Sequence, residues 1–283
     1  MRRNIWRTAA LLACGLCGAA LSAQAQVRVG VEQTYDRSRW HFDSPSSYDT
    51  TVLVPHFFEQ NYTLDNRWLT ADASYRAGVD WHTSIGATPV RRATATDYDT
   101  FFNPGDVVWV SGTSGQAKVH SFRLSQAVDL GRIRGIRLTG GYRLRVDLAD
   151  FLEGDRTDAR NGVVVTRSVV TTREYTSGQT HEVFIEGMHT SDLSPNWQLR
   201  VSGQASPAAV HRLAIQLPDK YPGRTLVYRT TNLAASGRVE LVRGHDRWPL
   251  TLSLGVIRTV NYSRVQTANR SGLSVGAGIG RTW

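Results

Sequence analysis

The sequence predicts an all-β protein: a transmembrane barrel of ten antiparallel strands, of the outer-membrane type. Three observations predict it. Long stretches alternate strictly between apolar and polar residues, the connections between them are short and long by turns, and an export signal precedes a chain with no long apolar helix. The 283 residues, 41% hydrophobic and 20% charged, hold too much core-forming material for a disordered chain and too many charges for a bundle of membrane helices. The formal charge is +9, and among the 33 basic residues only Lys118 and Lys220 are lysine. That excess of arginine fits either a GC-rich genome or bidentate contacts to phosphate groups on an outer leaflet. No basic run is long enough to argue for nucleic acid, and no CxxC or HxxxH pair after residue 20 argues for a metal.

The first element is the export signal. Arg2, Arg3 and Arg7 precede an apolar run from Thr8 to Leu21, and Ala23-Gln24-Ala25 offers small residues for cleavage, so residues 1–25 are expected to be a signal peptide and 26–283 the barrel. Leu11-Leu12-Ala13-Cys14 resembles a lipoprotein box, but Cys14 follows Arg7 too closely for an apolar region of roughly 7 to 15 residues. Cys14 and Cys17 both fall in the removed segment. An exported chain without cysteine must be stabilised by something other than disulfides.

The strands follow. They are expected near 27–38, 50–62, 67–83, 120–130, 136–149, 174–190, 197–210, 226–242, 249–264 and 272–283. The clearest are the third and fifth. From Leu69 to Trp81 the odd positions are Leu, Ala, Ala, Tyr, Ala, Val and Trp, while the even ones include Asp72, Arg76 and Asp80. From Ile136 to Leu148 the even positions are apolar or glycine, and the odd ones include Arg137, Arg143, Arg145 and Asp147. Each run is 13 residues. A tilted strand crossing hydrocarbon needs about 9 to 11, with faces alternately toward lipid and lumen. Strands in soluble sandwiches more often reach only about 5 or 6. Between the strands, 63–66, 131–135, 192–196 and 244–248 are expected to be tight periplasmic turns. The polar stretches 39–49, 84–119, 150–173 and 211–225 are expected to be long outer loops. The last strand ends on Trp283, in the manner of the C-terminal signal of outer-membrane barrels.

Strand number excludes one function. Eight strands are just filled by their own side chains and aqueous channels appear near 16 to 18, so ten should not form a general porin. The inward positions, among them Asp72, Arg76, Asp80, Arg137, Arg143, Arg145, Arg200, Arg238 and Glu240, carry both signs and are expected to pair inside the lumen.

The most specific local feature is Thr96-Asp97-Tyr98-Asp99, followed by Asn103-Pro104-Gly105, in the second long loop. Carboxylates at i and i+2 of an extended chain lie on one side, about 6 to 7 Å apart, and can hold a water between them. On spacing alone, a solvated loop turning at Asn103-Pro104-Gly105 explains the same residues. With ten strands and this pair in the second outer loop, the chain resembles the omptins, the outer-membrane endopeptidases of Gram-negative bacteria. Residue-level likeness lies in Trp68 to Ile85, Asp97 to Gly105, Arg137 to Tyr142, Pro222-Gly223-Arg224 and Tyr228-Arg229. The resemblance implies that Asp97 and Asp99 are catalytic, binding the attacking water opposite an Asp-x-His pair in the fourth loop. It also implies cleavage beside basic residues of a peptide or protein substrate, in the cell outer membrane, with lipopolysaccharide required and no other cofactor. The chain departs from the family in that fourth loop, where Leu217-Pro218-Asp219 stands in place of Asp-x-His. His211 with Asp219 is the candidate for a shifted dyad, at a spacing of eight residues. His189 and His245 are poorer candidates, at a strand end and in a turn.

Other motifs carry less. Gly276-x-Gly278-x-Gly280 lies on the polar side of the last strand, where small residues relieve crowding, and no Gly-x-Ser-x-Gly elbow is present. Trp40, Trp68, Trp81, Trp248 and Trp283 fall near expected strand ends and are read as interface girdles. Two functions from different classes follow: a surface endopeptidase with a modified dyad, or a non-catalytic barrel serving adhesion, binding or envelope structure.

Overall fold

The computed structural model describes residues 26–45, 55–103, 107–170, 173–219, 222–244, 248–261 and 266–282. The expected signal peptide lies outside them. The strands are β1 (Gln26–Pro45), β2 (Pro55–Ala77), β3 (Val79–Ala87), β4 (Arg91–Asn103), β5 (Val107–Ile133) and β6 (Ile136–Arg160). They continue as β7 (Val163–Val170), β8 (Glu174–Ser194), β9 (Trp197–Gln216), β10 (Leu226–Arg243), β11 (Leu250–Asn261) and β12 (Gln266–Thr282). All pairings are antiparallel, and β1 pairs with both β2 and β12, which closes the sheet. The closed ring has ten strands, because β3 and β4 lie end to end between β2 and β5 while β7 sits on the far extension of β6.

The break between β3 and β4 has a local cause. Pro89 has no N–H to give to a ladder. The gap is held by Thr88, whose backbone N–H donates to the Ser121 carbonyl at 2.9 Å and whose Oγ1 accepts from the Ser121 N–H at 2.8 Å. At one rim the connections are tight: Gly78, then Arg134-Gly135, then Pro195-Asn196. Arg134 and Gly135 both have positive φ, as a two-residue hairpin matching the strand twist requires. Gln26 and Thr282 pair at this same rim, which is therefore the periplasmic one, and the opposite rim is the outer mouth.

Several expected boundaries are corrected. No turn exists at 63–66: Thr63 to Asn66 pair without interruption with Arg37 to Thr34, inside β2. The stretch 84–119 is mostly strand, supplied by β3, β4 and the first half of β5. Likewise β1 runs to Pro45, β6 to Arg160 with β7 behind it, and β9 to Gln216, so most of the expected loops at 39–49 and 150–173 and the start of 211–225 are wall. The physical reason is common to all of them. Beyond the hydrocarbon a strand meets water on its outer face, loses its apolar row and reads as loop. The total is ten in both cases, because the expected strands 50–62 and 67–83 fall largely on the single strand β2, while β3 and β4 supply a strand that the alternation does not predict.

The two faces behave as the alternation requires. Val29, Val31, Leu69, Leu252, Leu254, Leu273 and Val275 point outward and are exposed, forming the surface that hydrocarbon covers. Inside, the charges pair. Arg28 reaches Asp72 at 3.0 Å and Glu240 at 3.4 Å, Arg238 reaches Glu240 at 3.1 Å, and Arg137 reaches Asp129 at 2.7 Å. Arg123 meets Glu32 and Arg143 meets Glu182 farther up. Trp68, expected in an interface girdle, instead faces the lumen and is fully buried; Arg123 and Arg145 stack on its ring at 4.7 and 5.1 Å, and its indole N–H donates to Thr34 Oγ1 at 3.0 Å. Above this level an apolar layer crosses the interior, built from Ala117, Val119, Phe151, Leu213, Ile215 and Tyr228. On β12, a Cβ at Gly276 would come within 2.7 Å of Ser253 Oγ, so the glycines there do relieve crowding.

Candidate functional site

Among the described residues, the mouth is built by strands. Asp97 and Asp99 lie within β4, extended as expected, in unbroken register with β5: Asp97 opposite Thr113 and Asp99 opposite Ser111. Val119 and Ala117 are buried in the interior, and the period of two carries that inward row through positions 115, 113 and 111. The register therefore puts positions 97 and 99 in the lumen-facing row at the mouth. Both rows continue across the wall. Thr113 pairs with Arg156 and Arg156 with Ser168; Ser111 pairs with Asp158 and Asp158 with Thr166. Arg156 Nε donates to both carboxylate oxygens of Asp158, at 2.8 and 3.1 Å. Two carboxylate positions and a fixed ion pair thus share two adjacent cross-strand rows.

The other two candidates are placed apart. His211 is buried on β9, facing inward, with its Nδ1 in a hydrogen bond of 2.9 Å with Thr180 Oγ1. The next inward residues toward the mouth, Leu213 and Ile215, belong to the apolar layer, as does Tyr228 opposite Leu213. His211 thus lies beneath that layer. Asp219 is exposed in the turn after β9, where its Oδ2 accepts from the Arg173 backbone N–H at 3.0 Å. Among the described residues no hydrogen bond or ion pair joins Asp219 to His211. His189 is exposed and bonds Ser191 at 3.1 Å, while His245 lies outside the described residues.

A second polar cluster, not singled out by motif, sits at the periplasmic end of the lumen. Ser74 Oγ is 2.8 Å from His82 Nδ1, Arg137 Nη2 is 2.7 Å from His82 Nε2, and Arg137 Nε donates to Asp129 at 2.7 Å. It contains a serine, a histidine and an acid, yet it is not wired for nucleophilic catalysis. Guanidinium can only donate, so Nε2 accepts, the neutral ring carries its proton on Nδ1, and that proton goes to Ser74. A general base would have to take the proton from the serine. The cluster lines a polar cavity of about 1480 Å³, with Arg28, Asp72, Arg200 and Glu240 on its walls. Two of these placements had a sequence signal: Trp68 and His82 have the same even parity as Asp72 and Asp80.

No family model matches the chain, and no curated protein matches it in sequence. Among solved structures it is similar to the outer membrane protease OmpT from Escherichia coli, with a TM-score of 0.65 and 10% identity, over 93% of this chain and 98% of that one. The translocator domain of autotransporter NalP from Neisseria meningitidis matches at a TM-score of 0.38 and 12% identity, over 99% of this chain and 97% of that one. At such identity the first likeness speaks for fold alone. That fold, a closed ten-stranded antiparallel barrel, is one of bacterial outer-membrane proteins, and the chain is a protein of the cell outer membrane.

Proposed function

We propose that this barrel is a surface endopeptidase of the omptin type, in which Asp97 and Asp99 hold the attacking water at the mouth. The observation that carries the reading is the register that sets positions 97 and 99 side by side in the inward row of β4. The scaffold is compatible with it, since one solved barrel of similar fold, matched over 93% of this chain, is an outer membrane protease. Lipopolysaccharide is the partner this reading requires. On the outward face toward the mouth, Arg212 stands directly opposite Arg229 and Arg92 opposite Lys118, while Arg37 and Arg258 flank Ser271. Like charges placed opposite each other destabilise a sheet, and phosphate groups between them reverse the sign.

The test is hydrolysis of peptides with paired basic residues by lipopolysaccharide-reconstituted protein. Cleavage that is abolished by Asp97→Ala and by Asp99→Ala is expected. The rate should be low, because lacking an oriented histidine base costs roughly 10²- to 10⁴-fold. Cleavage that survives both substitutions would overturn the assignment.

A second reading, a non-catalytic barrel that binds at the surface, is favoured by one observation: His211 lies beneath the apolar layer while Asp219 is held by Arg173. Under that reading the reconstituted protein cleaves nothing, and Asp97→Asn changes neither activity nor folding.

A further inference from the structure

Among the described residues, the outer wall has an open edge. β7 pairs with β6 from Arg160↔Val163 to Gly154↔Val170, and among the described strands none pairs with its other edge. Its neighbours stop short. β8 begins at Glu174, level with Phe151, and β9 ends at Gln216, paired with Tyr175, so beyond that level β7 has no described strand beside it. Its side chains are left uncovered: Val163, Val164, Val165 and Val169 are 68, 47, 55 and 69% exposed. Natural sheets blunt such edges with charged side chains, above all lysine, with proline or with a bulge. β7 has neither lysine nor proline, its single charge is Arg167, and its one irregularity lies near Val165, leaving Thr166 to Val170 in regular register with Asp158 to Gly154.

We propose that this edge of β7 binds an extended polypeptide by strand addition, as the anchoring site for chains entering the mouth. A row of unpaired backbone N–H and C=O groups at the strand repeat is matched by another polypeptide backbone, and exposed valines are best covered by β-branched or apolar side chains at alternate positions. The placement fits as well. Thr166 and Ser168 lie in the cross-strand rows that run through β6 and β5 to Asp99 and Asp97. A strand added beyond β7 would be four strand spacings from β4, about 19 Å along the wall. It therefore holds a segment remote from the carboxylates and not the bond they would attack. The inference rests on the reading that the mouth receives polypeptide, and not on hydrolysis. A second copy of the chain fits less well. Two barrels in one membrane are related by rotation about the membrane normal, so strands running along that normal meet in parallel, and in register that pairing sets Arg167 against Arg167.

The experiment uses full-length protein in lipopolysaccharide-containing nanodiscs and a fluorescein-labelled peptide of alternating valine and threonine, with two derivatives N-methylated at every odd or every even residue. A strand-added peptide turns only alternate N–H groups toward its partner. One methylation pattern should therefore keep affinity within about threefold, while the other loses about tenfold or more. Val169→Lys, which blunts the edge, should weaken binding of the unmodified peptide by a similar factor in protein that still shows heat-dependent gel mobility. Equal sensitivity to both methylation patterns, or binding indifferent to Val169→Lys, would overturn the proposal. So would concentration-dependent self-association that competes with the peptide, which would give the edge to a second copy. Asymmetric binding without cleavage would leave the anchoring site standing and remove the endopeptidase reading. Asp97-dependent cleavage without asymmetry would do the reverse.

Discussion

The periplasmic half of the lumen and the layer above it are filled by the same wall, with the same inward alternation, in opposite ways. Below, Arg28, Asp72, Glu240 and Arg238 form a shared ionic cluster beside a polar cavity. Above, Phe151, Leu213, Ile215 and Tyr228 exclude water by packing. An ionic cluster needs every partner, since a charge left behind in a half-buried site keeps its desolvation cost. A packed layer needs volume. Trp68 is the joint between the two: apolar in area, yet covered on its faces by Arg123 and Arg145. The difference shows that one wall with one alternation carries a polar lower lumen and an apolar layer above it.

That contrast can be broken from either side. The largest effect is expected from Leu213→Ala, which hollows the apolar layer and should cost about 2 to 5 kcal/mol. Urea unfolding followed by gel mobility would measure it, and a near-neutral result would mean that the layer does not hold the upper barrel. In planar bilayers the wild type should show no steady general-porin conductance, and large constant currents would show that the layer is not a seal. Glu240→Ala should cost less, about 1 to 3 kcal/mol, because it removes the carboxylate shared by Arg28 and Arg238 in a site that water still reaches. His211→Ala sharpens the comparison. It removes one hydrogen bond to Thr180 and should cost about 1 kcal/mol while leaving any hydrolysis per folded molecule unchanged. A loss of activity equal to that of Asp97→Ala would instead bring His211 into the site. The smallest effect is expected from Arg212→Gln with Arg229→Gln, charges on the outer face of which Arg212 is half-buried and Arg229 exposed, worth about 0.2 to 1 kcal/mol each and read as weaker and less salt-dependent lipopolysaccharide binding.

The candidate site was legible only in part. The Asp97 and Asp99 pair could be found because an i, i+2 spacing is a local property of extended chain. Its setting could not: the polar stretch 84–119 lacks the apolar row that marks a membrane strand, so wall and loop look alike there. Parity alone assigns Trp68 and His82 to the lumen, but an aromatic near an expected strand end fits an interface girdle equally well. The edge of β7 that no described strand pairs with had no sequence signal beyond a run of valines, which suits a covered strand equally well.

What the sequence determined by itself is the barrel. Strict period-two alternation, runs long enough to cross hydrocarbon and inward residues of both signs can each be read along the chain, because each is a relation between residues a few positions apart. Only the tertiary structure decided which inward residues meet. That Arg28 joins Glu240 across the closure, that His211 lies under Leu213 and Ile215 rather than at the mouth, and that β7 has one partner instead of two among the described strands all follow from strand register and ring closure. Those are set by how residues dozens to hundreds of positions apart are brought side by side, and no local pattern encodes them.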